Sequence, residues 1–210
     1  MREIKEYKDI IQGSPEWREL RCGRITASEA GDFLGTSDAF EKLLYKKAAE
    51  ILTGNVEVIK ATSAMERGHE LEPRSRVLFE MRHPEITVNE TGFFAIDDFF
   101  GVSPDGTFNS NQGWENKSIN ATDHLQLFET GKGCKAHGSH LNQCKFSLYF
   151  LEYRYWNLCY YHSDFPDEYC LNELSIELDD KTEKLLSERE QIAIEFLSKY
   201  KQFIQGNSSF

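Results

Sequence analysis

Residues 101–118 read GVSPDGTFNSNQGWENKS, and the rest of the chain is arranged around them. An apolar run ends in Ser103-Pro104-Asp105-Gly106, and Glu115, Asn116 and Lys117 follow soon after. The polar, glycine-containing NSNQG between them predicts a hairpin turn. Side chains alternate faces along a strand, so Glu115 and Lys117 project from one side, and the hairpin brings Asp105 alongside them. Two carboxylates and an ammonium on one sheet surface suit a hard divalent cation such as magnesium, which takes oxygen ligands. The lysine is placed to hold or deprotonate a water there. A turn aspartate followed by an exposed Glu/Lys strand fits the same residues, and the local pattern leaves both readings open.

The chain has 210 residues, enough for one domain with a sizeable core, and 40% of them are apolar, including 15 Phe, 9 Tyr and 3 Trp. No apolar run is long enough to span a membrane, and the charged start MREIKEYKDI lacks the apolar centre of a signal peptide. The five cysteines (22, 134, 144, 159 and 170) form no CxxC pair and read as free thiols in a reducing cytoplasm; a zinc site is not expected. The net charge of −11 argues against a generally DNA-seeking surface, but its distribution matters more. Residues 164–195 hold eleven acids and three bases, so most of the excess lies in the C-terminal quarter. A DNA-facing surface elsewhere is free to be locally basic.

In QGSPEWRELRCG, Ser14 is an N-cap, Pro15 suits the first helical position, and Gly23 stops the helix. Trp17 and Leu20 share a face and Arg21 lies in the last turn. In RITASEAGDFLG, Thr26 or Ser28 caps a second short helix that runs through Phe33 and Leu34 to Gly35. Its N-terminus is a phosphate seat that Arg21 and Arg24 would strengthen, or Arg21 is a solvated helix-end cation and Ser28 merely a cap. Residues 39–52 predict an amphipathic helix with Phe40, Leu43, Leu44, Ala48 and Leu52 towards the core. SAMERGHELEPRSRVLFEMRH is again helical in pattern, through Met65, Leu71, Val77, Leu78 and Met81, with a kink or break at Pro73; Glu66, Glu70 and Glu72 are candidate acids or a solvated face. Residues 86–118 read as short strands. Residues 119–138 read as a loop whose Lys132, Lys135 and His137 either touch a nucleic-acid backbone or are simply solvated. A helix over 139–151 carries Leu141, Cys144, Leu148 and Leu151 as its core stripe with Gln143 beside it. Then come a buried aromatic strand, the alternating ELSIEL, and a long helix over 180–205, after which GNSSF frays. The order predicts an α/β (α+β) fold with a central mixed sheet flanked by helices.

Four segments in this order resemble the lambda-exonuclease-like phage recombination nucleases, the YqaJ viral recombinase family of the PD-(D/E)xK superfamily. They are QGSPEWRELRCGRITASE, RGHELEPRSRVLFE, GVSPDG with GWENKS, and HLNQCKFSLYF, spanning about residues 12–150. The resemblance implies a restriction-endonuclease-like core and a single nuclease domain over 1–210. Its parts are a helical portion at 14–82, a catalytic sheet and helix at 86–162, and a C-terminal strand and helix at 172–205. It implies that Asp105 and Glu115 are metal ligands with the Asn116 carbonyl, that Glu72 serves the second metal, and that Lys117 is the catalytic lysine. Gln143 would help position the nucleophilic water, and Arg21 and Ser28 would bind the terminal 5′-phosphate. Pro73 directly after Glu72, and His140 where some relatives carry Tyr, depart from the family pattern.

By the same resemblance the chain is expected to be a magnesium-dependent 5′-to-3′ exonuclease on linear double-stranded DNA, using two ions for which manganese substitutes. It would release mononucleotides and leave a 3′ overhang, act as a ring-shaped homotrimer, and partner a single-strand annealing protein. The rivals are a sequence-specific endonuclease on the same core and a non-catalytic DNA-end-binding relative. Intact Asp105, Glu115 and Lys117 argue against the latter.

Overall fold

The computed structural model describes residues 2–56, 63–132 and 135–206, the side chains of 63–66 and 135–136 excepted. In chain order, strand β1 (Ile4–Tyr7) leads to helix α1 (Pro15–Arg21), strand β2 (Ile25–Thr26), a 3-10 turn (Ala27–Glu29), and helices α2 (Ala30–Phe33), α3 (Ser37–Thr53) and α4 (Ser63–Arg82). Strands β3 (Phe93–Ile96), β4 (Phe100–Val102), β5 (Gly106–Phe108) and β6 (Gln112–Lys117) follow, then helices α5 (Ala121–Thr130) and α6 (Lys135–Leu151). Strands β7 (Tyr155–Tyr161) and β8 (Leu171–Ile176) and helix α7 (Asp180–Ile204) complete the chain.

The expected α/β fold is present, with its strands divided between two four-stranded mixed sheets ordered β1-β3-β4-β2 and β5-β6-β7-β8. The chain steps from the first sheet to the second at Ser103-Pro104-Asp105, where proline withholds an N–H from either ladder. In the second sheet β6 pairs antiparallel with β5 and parallel with β7, so the hairpin strand is fixed on both edges. Gly113 on β6 lies under the Trp156 ring; a Cβ there would come within 2.2 Å of it. Helix α6 crosses between the sheets and α7, its Phe146 and Phe150 packed with Phe33 and Phe100 in one fully buried aromatic cluster. At about 1.5–3 kcal/mol per fully buried side chain, those rings set the position of the helix that carries Gln143. A second core, containing Phe79, Phe108, Trp114 and Tyr161, seats α4 on the other sheet face.

Several local expectations change. The segment read as a loop contains α5, capped by the Asn120 side chain on the Asp123 N–H and closed by Gly131 at φ +63°. Helix α4 continues through Pro73. A proline here forfeits one helical hydrogen bond, and the burial of Ser75 and Phe79 just beyond it holds the helix in register. Leu52, Val77 and Met81 are exposed, whereas Lys47 and Glu50, polar residues in an amphipathic pattern, are buried. The second short helix is a 3-10 turn followed by one α turn. Strands β1 and β2 add to the expected set, while residues 86–92 contribute an isolated bridge from Asn89 to Thr107. Cys22, Cys144, Cys159 and Cys170 are free thiols; Cys134 lies outside the described residues, as do residues 207–210 of the expected frayed end. No described helix is long and apolar enough to cross a membrane.

Candidate active site

The hairpin register pairs Gly106 with Trp114, Thr107 with Gly113 and Phe108 with Gln112. The intervening turn places Asn109 and Ser110 at φ +49° and +65°, a region that short polar residues tolerate. One step beyond the Gly106–Trp114 pair, Asp105 comes alongside Glu115. The Asn116 backbone N–H donates to Asp105 Oδ2 at 2.8 Å, fixing that carboxylate at the end of the hairpin. Lys117 Nζ donates to Glu115 Oε1 at 2.5 Å, the same-face contact that the spacing predicts. Gln143 Nε2 reaches the same oxygen from α6 at 2.6 Å. Four of the predicted residues, Asp105, Glu115, Lys117 and Gln143, are thus gathered at one place. Asn116 presents its backbone there, with its side chain on the opposite face of the pleat.

Glu72 joins them electrostatically. Burial pushes its pKa up to about 8, and the charges of Asp105 and, more weakly, Glu115 add to the effect against the pull of Arg76. Glu115 is raised to about 7, first by burial and then by Asp105, with Lys117 and Gln143 opposing. Asp105 is also raised by burial, against the counter-effects of Lys117 and the Asn116 N–H. Burial alone would lower Lys117, but the Glu115 and Asp105 carboxylates outweigh it and hold the ammonium firmly protonated. The cluster therefore crowds three desolvated acids around the Lys117 ammonium, with Arg76 acting on Glu72 alone, a donor set that fits a hard divalent cation. Among the described residues no three acids, histidines or cysteines close on a single point. Such a site suits an ion that uses one or two carboxylates and completes its shell with water, a backbone carbonyl and substrate phosphate. Of the other candidate acids, Glu70 is exposed and the Glu66 side chain lies outside the described residues.

Arg21 and Ser28 are in direct contact, Arg21 Nη2 donating to Ser28 Oγ at 2.7 Å. The guanidinium lies 4.3 Å from the centroid of the Trp17 ring. Trp17 Nε1 in turn donates to Ser103 Oγ at 3.2 Å, and Ser103 donates to the Gly92 carbonyl at 2.7 Å. A short chain of contacts therefore runs from Arg21 to the step at Ser103-Pro104-Asp105, a link the sequence does not announce. Arg24 does not join the seat. Its guanidinium donates to the carbonyls of Leu20 at 2.7 Å and Asp97 at 3.3 Å, tying the end of α1 to the turn between β3 and β4.

Close by, His137 Nδ1 and His140 Nδ1 lie 2.9 and 3.0 Å from the Tyr160 hydroxyl. Tyr160 is the register partner of Lys117 across β6 and β7. Burial, with the nearby Lys117 and His137, lowers His140 to about 4, so it is a neutral imidazole at physiological pH. Lys132 is exposed, and the side chain of Lys135 lies outside the described residues.

The sequence pattern of the YqaJ-like viral recombinase domain matches residues 16–153, a stretch that contains Arg21, Ser28, Glu72, Asp105, Glu115, Asn116, Lys117 and Gln143. The chain belongs to the YqaJ-like viral recombinase family. An alkaline exonuclease (LHK-Exo) from Laribacter hongkongensis is similar in structure, with 27% identity and a TM-score of 0.73 over 91% of this chain and 95% of that one. The same protein in complex with dAMP gives a TM-score of 0.72 at the same identity and coverage. A phage-related exonuclease from Haemophilus somnus 129PT shares the fold, with a TM-score of 0.64 at 14% identity over 88% of this chain and 96% of that one. None of the curated proteins matches the chain.

Proposed function

We propose that this YqaJ-like protein is a divalent-metal-dependent exonuclease that degrades one strand of linear double-stranded DNA from its 5′ end. Membership of a recombinase family and likeness to an alkaline exonuclease support the coarser reading, a nuclease of DNA recombination. The observation that carries it to these residues is the convergence of Asp105, Glu115, Lys117 and Gln143 on the hairpin, with Glu72 close enough to feel their charge. Likeness to the dAMP-bound exonuclease supports mononucleotides as the product.

Asp105, Glu115, the Asn116 carbonyl and Glu72 would hold magnesium, as two ions, with manganese a possible substitute. Bound there, the metal supplies Lewis-acid polarisation of the scissile phosphate and of the attacking water. The protein's own groups do the rest. Gln143 fixes the Glu115 carboxylate by donating to Oε1, so the ligand enters the reaction in one rotamer. Lys117, held as an ammonium, donates its protons to orient the attacking water and to offset charge growing on the phosphate. Arg21 and Ser28 would grip the terminal 5′-phosphate, which carries more charge than an internal diester and accepts a forked guanidinium. Their link to the step at Asp105 through Trp17 and Ser103 ties the end-binding groups to the cutting groups. The family resemblance further supports a homotrimeric ring around the duplex and a partner that anneals the exposed single strand.

Incubation with magnesium of linear and covalently closed duplexes, each linear end labelled separately, tests this reading. The expected outcome is loss of label as mononucleotide from 5′ ends only, with closed circles untouched. Cutting of the closed circle would replace it with the endonuclease reading.

A further inference from the structure

Beneath the Arg21–Ser28 pair lies a buried charge network that the hairpin chemistry does not use. Lys47, on the inward face of α3, is 2% exposed, and Glu50, one turn on, is 4% exposed. Lys47 Nζ lies 2.9 Å from Glu29 Oε1 and 3.0 Å from Glu50 Oε2. Both carboxylates also grip the same stretch of chain. Glu50 Oε2 accepts the Gly23 N–H at 3.0 Å, and Glu29 Oε2 accepts the Thr26 N–H at 3.1 Å and lies 3.2 Å from the Thr26 hydroxyl. Lys46 reaches Glu29 Oε1 at 2.8 Å from the rim. The stretch held this way, Gly23 to Glu29, carries Ser28, whose hydroxyl meets Arg21 at 2.7 Å and the Thr26 hydroxyl at 3.2 Å.

A lysine taken out of water is costly unless paired, and a buried ion pair seldom adds stability over apolar side chains of the same shape. Stability alone is therefore a weak reason for this arrangement. Its geometry supplies another. Arg21, at the outer end of the network, feels both the Glu29 and the Glu50 carboxylates. An anion arriving at Arg21 and Ser28 would meet a seat whose backbone is already fixed.

We infer that Lys47 is a positioning residue for terminal-phosphate recognition: by fastening Glu29 and Glu50 it holds the Gly23–Glu29 turn so that the Ser28 hydroxyl and the Arg21 guanidinium face one phosphate together. The inference rests on the reading of Arg21 and Ser28 as the 5′-phosphate seat. Lys47 itself does not touch the phosphate; it acts through the two carboxylates.

The test compares single-turnover rates on 5′-phosphoryl and 5′-hydroxyl linear duplexes for the wild type, Arg21→Ala, Lys47→Met and Lys47→Arg, with thermal melts of each. The ratio of the two rates is the readout. Displacing a binding group by about 1 Å costs up to roughly 100-fold, so Lys47→Met is expected to lower the ratio by about 10- to 100-fold, with partial recovery in Lys47→Arg. Lys47→Met leaves the buried Glu50 carboxylate without its lysine and Glu29 with Lys46 alone. If it does not fold, Lys47→Met combined with Glu50→Gln, and Glu29→Gln alone, carry the same test with less unpaired charge. A lysine that is only structural lowers the melting temperature and both rates together; a folded variant of Lys47 or Glu29 with the wild-type ratio, in a series where Arg21→Ala has lost it, overturns the inference. A wild type without preference, or an Arg21→Ala that keeps it, instead refutes the phosphate seat itself and the role of Lys47 with it.

Discussion

Glu29, beneath the Arg21 turn, and Glu115, on the hairpin, are both carboxylates largely withdrawn from water, yet they sit on opposite sides of the ordinary range. Burial works to raise Glu29, but Lys47 and Lys46 overcome it and hold the group below the usual value. Burial and Asp105 push Glu115 up to about 7, and the single ammonium of Lys117 does not compensate. Desolvation is common to both; what differs is the supply of cations. Where the chain provides its own lysines the cluster is electrostatically closed and works as framework. Where it provides one lysine for Asp105, Glu115 and Glu72 the cluster is left open to a cation from solution.

The comparison breaks most sharply by neutralising one acid in each cluster. Glu115→Gln and Asp105→Asn are expected to reduce magnesium-dependent cleavage to the background of the assay, the largest effect among these variants. Neither should lower the melting temperature of the metal-free protein, because each removes a crowded, desolvated charge. Glu29→Gln should do the reverse for stability, at a cost of about 1–3 kcal/mol, because it weakens the partner of a buried lysine. Single-turnover assays beside thermal melts separate the two signs. Near-normal turnover in either hairpin variant would remove that residue from the metal site.

Next in size is Lys117, the ammonium that bonds the hairpin carboxylate Glu115. Lys117→Ala is expected to lower the single-turnover rate at saturating magnesium by about 10²–10³-fold, the range typical of a lost charge-stabilising donor. Metal affinity should not fall, since the variant also removes an ammonium that competes for Glu115 Oε1. A loss smaller than about tenfold would make Lys117 a charge-balancing residue only.

The two regions also differed in legibility. Asp105, Glu115 and Lys117 were readable because their geometry is local: a turn signal and a period of two place them on one surface. Gln143 sits one helical position from Cys144 on a recognisable core stripe, which aimed it at the sheet. The Arg21 region was only half readable. Its N-cap and turn residues are local signals, but the lysine and glutamate that hold the turn sit on α3, where a polar residue ordinarily marks the solvent face. Nothing in the sequence tells a buried, paired lysine from an exposed one, and Trp17 finds Ser103 only through tertiary folding. Helix α5 is hidden in the sequence for a different reason. Asn120, the apolar Leu127 and Phe128, and Gly131 were all available as a cap, a face and a stop, but the glycines and basic residues that follow favoured a loop. The strand set was incomplete because β1 is a charged edge strand and β2 is two residues long, too little for a period of two to register.

The smallest effect, and the one that probes the open cluster without a mutation, is the pH dependence of stability. Glu115 and Glu72 titrate at about 7 and about 8 in the folded, metal-free protein, against an ordinary value of 4.5. A carboxyl with a raised folded pKa binds its proton more tightly folded than unfolded. Its contribution is complete below the ordinary value and is lost as pH climbs through the folded values, here finishing near pH 8. His140 is lowered to about 4 and has the opposite slope: its burial as a neutral ring destabilises at acid pH, a penalty that fades by its ordinary value of 6.5. Between about pH 6.5 and 8 the two acids therefore dominate this part of the protein, and the melting temperature of the metal-free form is expected to fall. Each kcal/mol corresponds to about 2–4 °C for a chain of this size. Magnesium should reverse the slope, because binding to the ionised acids releases protons and grows tighter as pH rises. Melting curves across this window, with chelator and with magnesium, check the sign directly, and Glu72→Gln combined with Glu115→Gln should flatten both series. A metal-free melting temperature that rises through this window, or a magnesium effect that shrinks with pH, would mean that the three acids are not crowded enough to want a cation.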